Sequence, residues 1–271
     1  MLYHIGNNRP GRKDNMAVIG VYSAKGGVGK TTMAVDIAWR SAVLSKHRTL
    51  IWDLDPQGGA GFLLGCEARQ SPRAASVFQR DGRPHELIET TSYDRLSLFQ
   101  SDDSMRFASI TFARIGHKRR LAQLTDTLRR DYDRIVLDCP PTINEVSEQI
   151  LNAADVLIVP LPASPLAMRT LDSVREELAK HRVRQPPILP ILSMYSATRE
   201  HHRGVKSGIA AGWPIVPLAN QIEMAAVNQA PIGSFAKGSR PDKALQRVWD
   251  GIERRLAEMR VAADAVQAFT A

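Results

Sequence analysis

Cysteine is nearly absent from this chain. Its 271 residues include two, Cys66 and Cys139, so no disulfide framework can be drawn and a reducing cytoplasm is the expected setting. Long apolar runs are missing as well. None approaches the roughly 18 residues of a membrane-spanning helix, although apolar residues make up 44% of the chain, enough for a sizeable core. Residues 1–15, MLYHIGNNRPGRKDN, are polar and basic with no apolar stretch, and read as a flexible tail rather than a signal peptide. Between residues 17 and 260 there is no Gly/Ser linker, composition break, internal repeat or low-complexity tract. The expected organisation is a tail over 1–15 and a single domain over 16–271.

What the chain does have is concentrated in eight residues, Lys25-Gly26-Gly27-Val28-Gly29-Lys30-Thr31-Thr32. The preceding run, Ala17 to Tyr22, is apolar and partly β-branched and reads as a buried strand. The following run, Thr31 to about Leu44, has apolar residues at Ala34, Ile37, Ala38 and Val43 and no Pro or Gly, and reads as a helix. Strand, glycine-rich turn and helix form the setting of a phosphate-binding loop. Gly26, Gly27 and Gly29 permit positive φ and leave room for an anion. Successive N–H groups, Val28 among them, can turn inward on phosphate oxygens, helped by the helix dipole. Lys30 offers a point charge to the β- and γ-phosphates, and the Thr31 hydroxyl a ligand for Mg²⁺, with Thr32 beside it. The octet departs from the generic pattern G-x-x-x-x-G-K-[ST] at its start, where it carries Lys25.

Two further acidic elements follow short apolar runs. Thr49–Asp53 leads into Asp53-Leu54-Asp55-Pro56-Gln57-Gly58, and Arg134–Leu137 leads into Asp138-Cys139-Pro140-Pro141. Carboxylates just past the ends of parallel strands lie on the ligand side of an α/β sheet. Asp138 is placed to hold a Mg²⁺-bound water, and the two prolines stiffen a loop suited to act as a switch. Strands and helices alternate with short connections, which predicts a doubly wound, mostly parallel sheet with helices on both faces.

Taken together, these motifs resemble the ParA/MinD superfamily of P-loop NTPases, whose deviant Walker A loop reads like KGGVGKTT. The similarity runs over roughly residues 17–260 and is most specific in the first three motifs. It implies that Lys25 reaches across a dimer interface to the partner's ATP, that Asp55 positions or activates the attacking water, and that Asp53 supports the Mg²⁺ site with Thr31 and Asp138. It further implies a slow ATPase that forms an ATP-dependent homodimer, binds DNA without sequence choice on the nucleoid, and is stimulated by a ParB-like or other cargo adaptor. Cargo would be a plasmid, a chromosome origin or a protein assembly. Met194, Pro217 and Asn220 are the candidates for adenine contacts.

The net charge of +8 favours anionic partners. Basic residues cluster at Arg114, Lys118, Arg119, Arg120, Arg129 and Arg130, at Arg199–Lys206, and from Lys237 to Arg255. No helix-turn-helix, zinc-finger or aromatic RNA-binding motif accompanies them, so any DNA contact is through phosphates. ParA proteins carry an I-P-R-N-x-R-like stretch in the C-terminal third. The matching stretch here, Gln221–Ala226, has no arginine, which leaves Arg199, Arg203 and Lys206 as the DNA-binding candidates. Three other readings stand beside this one. A MinD-like membrane-associated ATPase needs a bulky amphipathic C-terminal helix, and residues 260–271 hold five alanines and one aromatic. An iron–sulfur reductase needs thiolates, and only Cys66 and Cys139 exist. Against a scaffold that binds nucleotide without hydrolysing it stand the intact Lys30, Thr31, Asp55 and Asp138.

Overall fold

The computed structural model describes residues 16–67, 73–79, 81–115, 119–180 and 185–270. The expected tail over 1–15 and Lys118 lie outside them. The strands are β1 (Ala17–Val21), β2 (Thr49–Asp53), β3 (Ile88–Thr90), β4 (Leu96–Phe99), β5 (Arg134–Asp138), β6 (Val156–Pro162), β7 (Ile188–Tyr195) and β8 (Ile215–Pro217). The helices are α1 (Lys30–Trp39), α2 (Gly59–Leu63), α3 (Ala108–Ile115), α4 (Arg120–Thr127), α5 (Glu145–Ala153), α6 (Ala167–Lys180), α7 (Glu200–Ser207), α8 (Asn220–Asn228), α9 (Ile232–Phe235) and α10 (Arg240–Thr270).

The strands form one eight-stranded sheet in the order β3-β4-β2-β5-β1-β6-β7-β8. Every pairing is parallel except β3 with β4, at one edge. The central strands β1, β2 and β5 are buried at every position, as strands covered on both faces must be. Their residues alternate between two cores. Val18, Leu50, Trp52, Ile135 and Leu137 point towards α3, α4, α5 and α6. Ile19, Val21, Ile51 and Val136 point towards α1, α2, α9 and α10. This is the doubly wound arrangement with helices on both faces. Helix α7 closes a small third cluster at the end of β7, where Val205 packs with Leu192 and Tyr195.

The helix that follows the glycine-rich loop is shorter than its sequence pattern suggests. Regular α-geometry ends at Trp39 and the chain continues as a π-helical stretch over Arg40–Leu44. π-Helical turns are rare, and the one here begins at Arg40. It is almost wholly buried. It donates to Asp36 Oδ2 (2.6 Å), to Asp242 Oδ1 (2.6 Å) and to Gln246 Oε1 (2.7 Å). Asp36 Oδ1 accepts the Gly233 N–H at 2.9 Å. Burial pushes the Asp36 carboxyl up, and Arg40 together with the Gly233 N–H opposes that shift. The network fastens the far end of α1 to α9 and α10.

A second anchor joins β5 to α10. Arg134, 1% exposed, donates through Nε and Nη2 to the two carboxylate oxygens of Glu253 at 2.9 and 3.0 Å. His47 lies 3.5 Å from the same carboxylate. Burial acts to raise the Glu253 carboxyl, but hydrogen bonds from His47 and Arg134 outweigh it and hold the group at about 2. A depressed carboxyl stabilises the fold fully above its unfolded value, and that stabilisation is lost as pH falls through the folded one. Urea midpoints should therefore decline as pH drops from about 4.5 towards 2. Glu253→Gln should flatten that part of the profile, as read by circular dichroism.

Candidate functional site

Parallel register places the site. Val21 at the end of β1, Asp138 at the end of β5 and Asp53 at the end of β2 are paired neighbours across three adjacent strands. The glycine-rich loop thus leaves the sheet at the level where two carboxylates arrive. Gly27 and Gly29 have φ of +70° and +86°, the left-handed region that favours glycine. Gly26 does not have a positive φ, so of the three glycines two supply the turn and Gly26 leaves open space around the exposed loop. Val28 is buried beneath it. Gly29 precedes α1 without a side-chain cap, which leaves first-turn N–H groups available to an anion. Lys30 is buried and its Nζ donates to the Lys25 carbonyl at 3.1 Å. Burial lowers its pKa, with Asp138 and Asp55 opposing that. Thr31 and Thr32 are half-buried, and the Lys25 side chain is exposed on the rim.

The two level carboxylates are treated differently. Asp53 Oδ1 accepts the Asp55 N–H and Oδ2 the Ala60 N–H, both at 3.0 Å. It thereby pins both ends of the turn that carries Asp55. Asp55 Oδ1 accepts the Gln57 N–H at 3.0 Å. Asp138 is fully buried and receives no backbone N–H; the Thr31 hydroxyl approaches it, but neither carboxylate oxygen makes a hydrogen bond of regular geometry. Burial pushes its carboxyl above the usual range and Asp55 adds to that, while the Thr31 hydroxyl and Lys30 favour the charged form. The turn lies directly over Thr31, since a Cβ on Gly59 would sit 3.0 Å from Thr31 Cγ2.

An orphaned buried carboxylate beside a threonine hydroxyl fits a hard divalent cation, which takes oxygen ligands. Among the described residues no group of three or more His, Cys, Asp or Glu could hold a metal by itself. That donor set suits Mg²⁺, which is bound through one or two protein oxygens, water and substrate phosphates. Cys139 is buried, donates to the Leu137 carbonyl, and has its thiol pushed well up by burial. It is thus a small core residue with no thiolate to offer a cluster.

Beyond the loop, an apolar cleft opens between Gly27, Val28, Thr32 and the ends of β7 and β8. Met194 and Pro217, two of the candidates for adenine contacts, line it, and Asn220 is not among its lining residues. Ser193, Leu218, Ile222 and Glu223 line it too and were missed. Their neighbourhood to Met194 and Pro217 in the chain was the available signal.

The DNA-binding candidates lie on or beside one helix, α7. Arg199 immediately precedes α7, and Arg203 Nη1 donates back to the Ala197 carbonyl at 2.9 Å. Lys206 lies over the Tyr195 ring at 5.7 Å. In the earlier cluster, Arg129 is buried in an ion pair with Asp126, and Arg120 donates to the Phe78 and Gln79 carbonyls. Those two are structural cations and not part of a free basic face.

A profile described as "AAA domain" matches residues 16–189. The Chromosome partitioning protein ParA of Myxococcus xanthus is 32% identical over 163 residues, covering 58% of this chain and 56% of that protein. Maintenance of carboxysome distribution protein A of Synechococcus elongatus is 31% identical over 220 residues, covering 74% of this chain and 84% of that protein. The chain belongs to the ParA/MinD superfamily of ATPases. It matches less than two thirds of the length of the Myxococcus relative. The fold of this superfamily member also superimposes on the ATP complex of Cyanothece McdA with a TM-score of 0.77 at 21% identity, over 88% of this chain and 97% of that one.

The loop geometry generates a direct test. Gly27→Val puts a β-branched side chain at φ +70°, which costs about 1–2 kcal/mol in backbone strain and narrows the anion cradle. Binding of a fluorescent ATP analogue should weaken by more than about tenfold, with the far-ultraviolet spectrum of the protein unchanged.

Proposed function

We propose that the chain is a Mg²⁺-dependent ATPase that dimerises on ATP and positions a cargo over DNA. The observation that carries this reading is the orphaned Asp138 carboxylate beside Thr31 and Lys30, level with Asp53 and under the Asp55 turn. Loop N–H groups and Lys30 hold the phosphates. Thr31 and Asp138 hold Mg²⁺, with Asp53 setting the turn beside them. When bound, the ion offsets negative charge on the β- and γ-phosphates. Asp55, on the turn above, orients the attacking water. Phosphoryl transfer asks a protein mainly for positioning and electrostatic stabilisation. Switch loops of this kind often need a partner to reach a productive geometry, so slow, partner-stimulated turnover is expected.

Lys25 supports the dimer. Its carbonyl is engaged by Lys30 while its side chain stands exposed at the rim. A cation there is poorly used within one chain and well placed to reach a nucleotide held by a second copy. The relatives named for chromosome partitioning and carboxysome distribution support a cargo-positioning role. The cargo is a plasmid, a chromosome region or a protein body, delivered through a ParB-like or other adaptor. Arg199, Arg203 and Lys206 form the DNA contact, and the protein works in the cytoplasm on the nucleoid.

A MinD-like membrane role is the second reading. Among the described residues no helix is long and apolar enough to cross a membrane. The end of α10 does expose Val261 and Val266, which is a narrow apolar surface for an interfacial anchor.

Lys25→Ala should leave nucleotide binding by the monomer intact. ATP-driven dimerisation on size-exclusion chromatography and ATP turnover should fall by at least tenfold. An equal loss of monomer binding would return Lys25 to its own loop. Changing Arg199 and Arg203 together to Glu should remove ATP-dependent retention of random-sequence DNA at low salt, where phosphate contacts dominate.

A further inference from the structure

Asp53 is fixed by backbone N–H groups from both ends of its turn, and the Asp138 carboxylate receives none. The place of that carboxylate therefore follows the backbone that carries it. On the β2 side this backbone is held, since the Leu54 N–H donates to the Asp138 carbonyl at 2.9 Å. Cys139 to Ile143 then leave the sheet as a loop and meet α5 at Asn144. Asn144 and Ser147 cap α5 reciprocally, with the Asn144 N–H donating to Ser147 Oγ at 2.9 Å. Both ends of the loop are thus secured.

Its middle is tied to β1. Tyr22 stands between that strand and the glycine-rich loop. The Tyr22 N–H donates to the Ile158 carbonyl of β6 at 2.9 Å, which fixes the residue on the sheet. Its ring is 1% exposed and packs in the same core as Cys139 and Val146. Its hydroxyl donates to the Thr142 carbonyl at 3.0 Å. Burial pushes the phenol up to about 12, so it remains a donor at neutral pH. Thr142 is otherwise bonded locally, its N–H to the Pro140 carbonyl at 2.9 Å and its hydroxyl to Asn144 Oδ1 at 3.3 Å. Pro140 and Pro141 have no N–H to give. The phenol therefore joins the strand that launches the phosphate-holding loop to the segment that carries Asp138.

We propose that Tyr22 is a positioning residue for the Mg²⁺ site: its bond to Thr142 sets the loop after Asp138, and with it the Asp138 carboxylate, relative to Thr31 and Lys30. This rests on the ATPase reading above. Tyr22 acts through the spacing between a carboxylate on β5 and a hydroxyl on α1. Mg²⁺ is sensitive to such spacing, because it demands near-octahedral oxygen ligands at about 2.1 Å. Tyr22→Phe keeps the ring and its packing and removes only the bond. The loop ends stay held, so the fold persists while the carboxylate gains freedom.

The test measures the affinity of a fluorescent, non-hydrolysed ATP analogue in Mg²⁺ and in EDTA for wild type, Tyr22→Phe, Asp138→Asn and Tyr132→Phe. Tyr132 is the control: a half-buried tyrosine at the opposite end of β5, whose hydroxyl bonds to Ser97. Wild type should bind more tightly in Mg²⁺ than in EDTA. For Tyr22→Phe we expect wild-type affinity in EDTA, a Mg²⁺-dependent gain smaller by about threefold to tenfold, the worth of one hydrogen bond, and kcat lower by a similar factor. Tyr132→Phe should lower Tm and keep the wild-type gain. An unchanged gain in Tyr22→Phe overturns the proposal. So does equal weakening in Mg²⁺ and EDTA, or an equal loss of gain in Tyr132→Phe, since either makes the phenol a structural bond only. If wild type gains nothing from Mg²⁺, or Asp138→Asn gains as much as wild type, the metal assignment itself fails and the role of Tyr22 falls with it.

Discussion

The arrangement of this protein turns on two carboxylates that arrive at the same height on neighbouring strands. Asp53 and Asp138 are register partners in β2 and β5, and both are buried. Burial raises both groups, Asp138 adding to the shift of Asp53 and Asp55 to that of Asp138, and a dry interior cannot hold bare negative charges side by side. The fold resolves this unevenly. Backbone N–H groups of Asp55 and Ala60 converge on Asp53, which settles that carboxylate and shapes the turn in the same act. Asp138 receives nothing from the backbone and faces Thr31 and Lys30 instead. One acid builds the local structure, and the other is left without backbone support.

That asymmetry is useful only if the glycine-rich loop is held still opposite it. The loop itself has little packing of its own: Lys25, Gly26 and Gly27 are exposed. Its rigidity is borrowed from α1, whose distant end is tied through Asp36 and Arg40 to α9 and α10. Buried ion pairs of this kind contribute little net stability because desolvation offsets their attraction. Their value here is geometric. The helix has a fixed end and a free end, and the free end carries the uncapped N–H groups.

The central strands were legible in the sequence because strands buried on both faces read as continuous apolar runs. β2 and β5 match their expected bounds, and β1 stops at Val21, one residue short of the reading. The loop was legible because glycine, lysine and threonine each have a separate physical reason to be there. Short β3, β4 and β8 were not named, since three or four residues give too little periodicity to separate a strand from a loop. The hydrogen bonds of Asp53 and the isolation of Asp138 depend on contacts across the chain, and no local pattern distinguishes one acid from the other. The same holds for Arg120 and Arg129, which look like surface charge in sequence and are consumed by carbonyls and Asp126 in the fold. The apolar cleft draws lining residues from α1, β7, β8 and α8, segments far apart in the chain, so no local pattern marks it as one surface.

The two outermost strands are three residues each, β3 antiparallel to its neighbour and β8 ending in Pro217. A flat, long border strand is a template on which a second sheet can grow, and a proline or an abrupt end removes that template. Sheet-to-sheet stacking into filaments is thereby disfavoured at both borders.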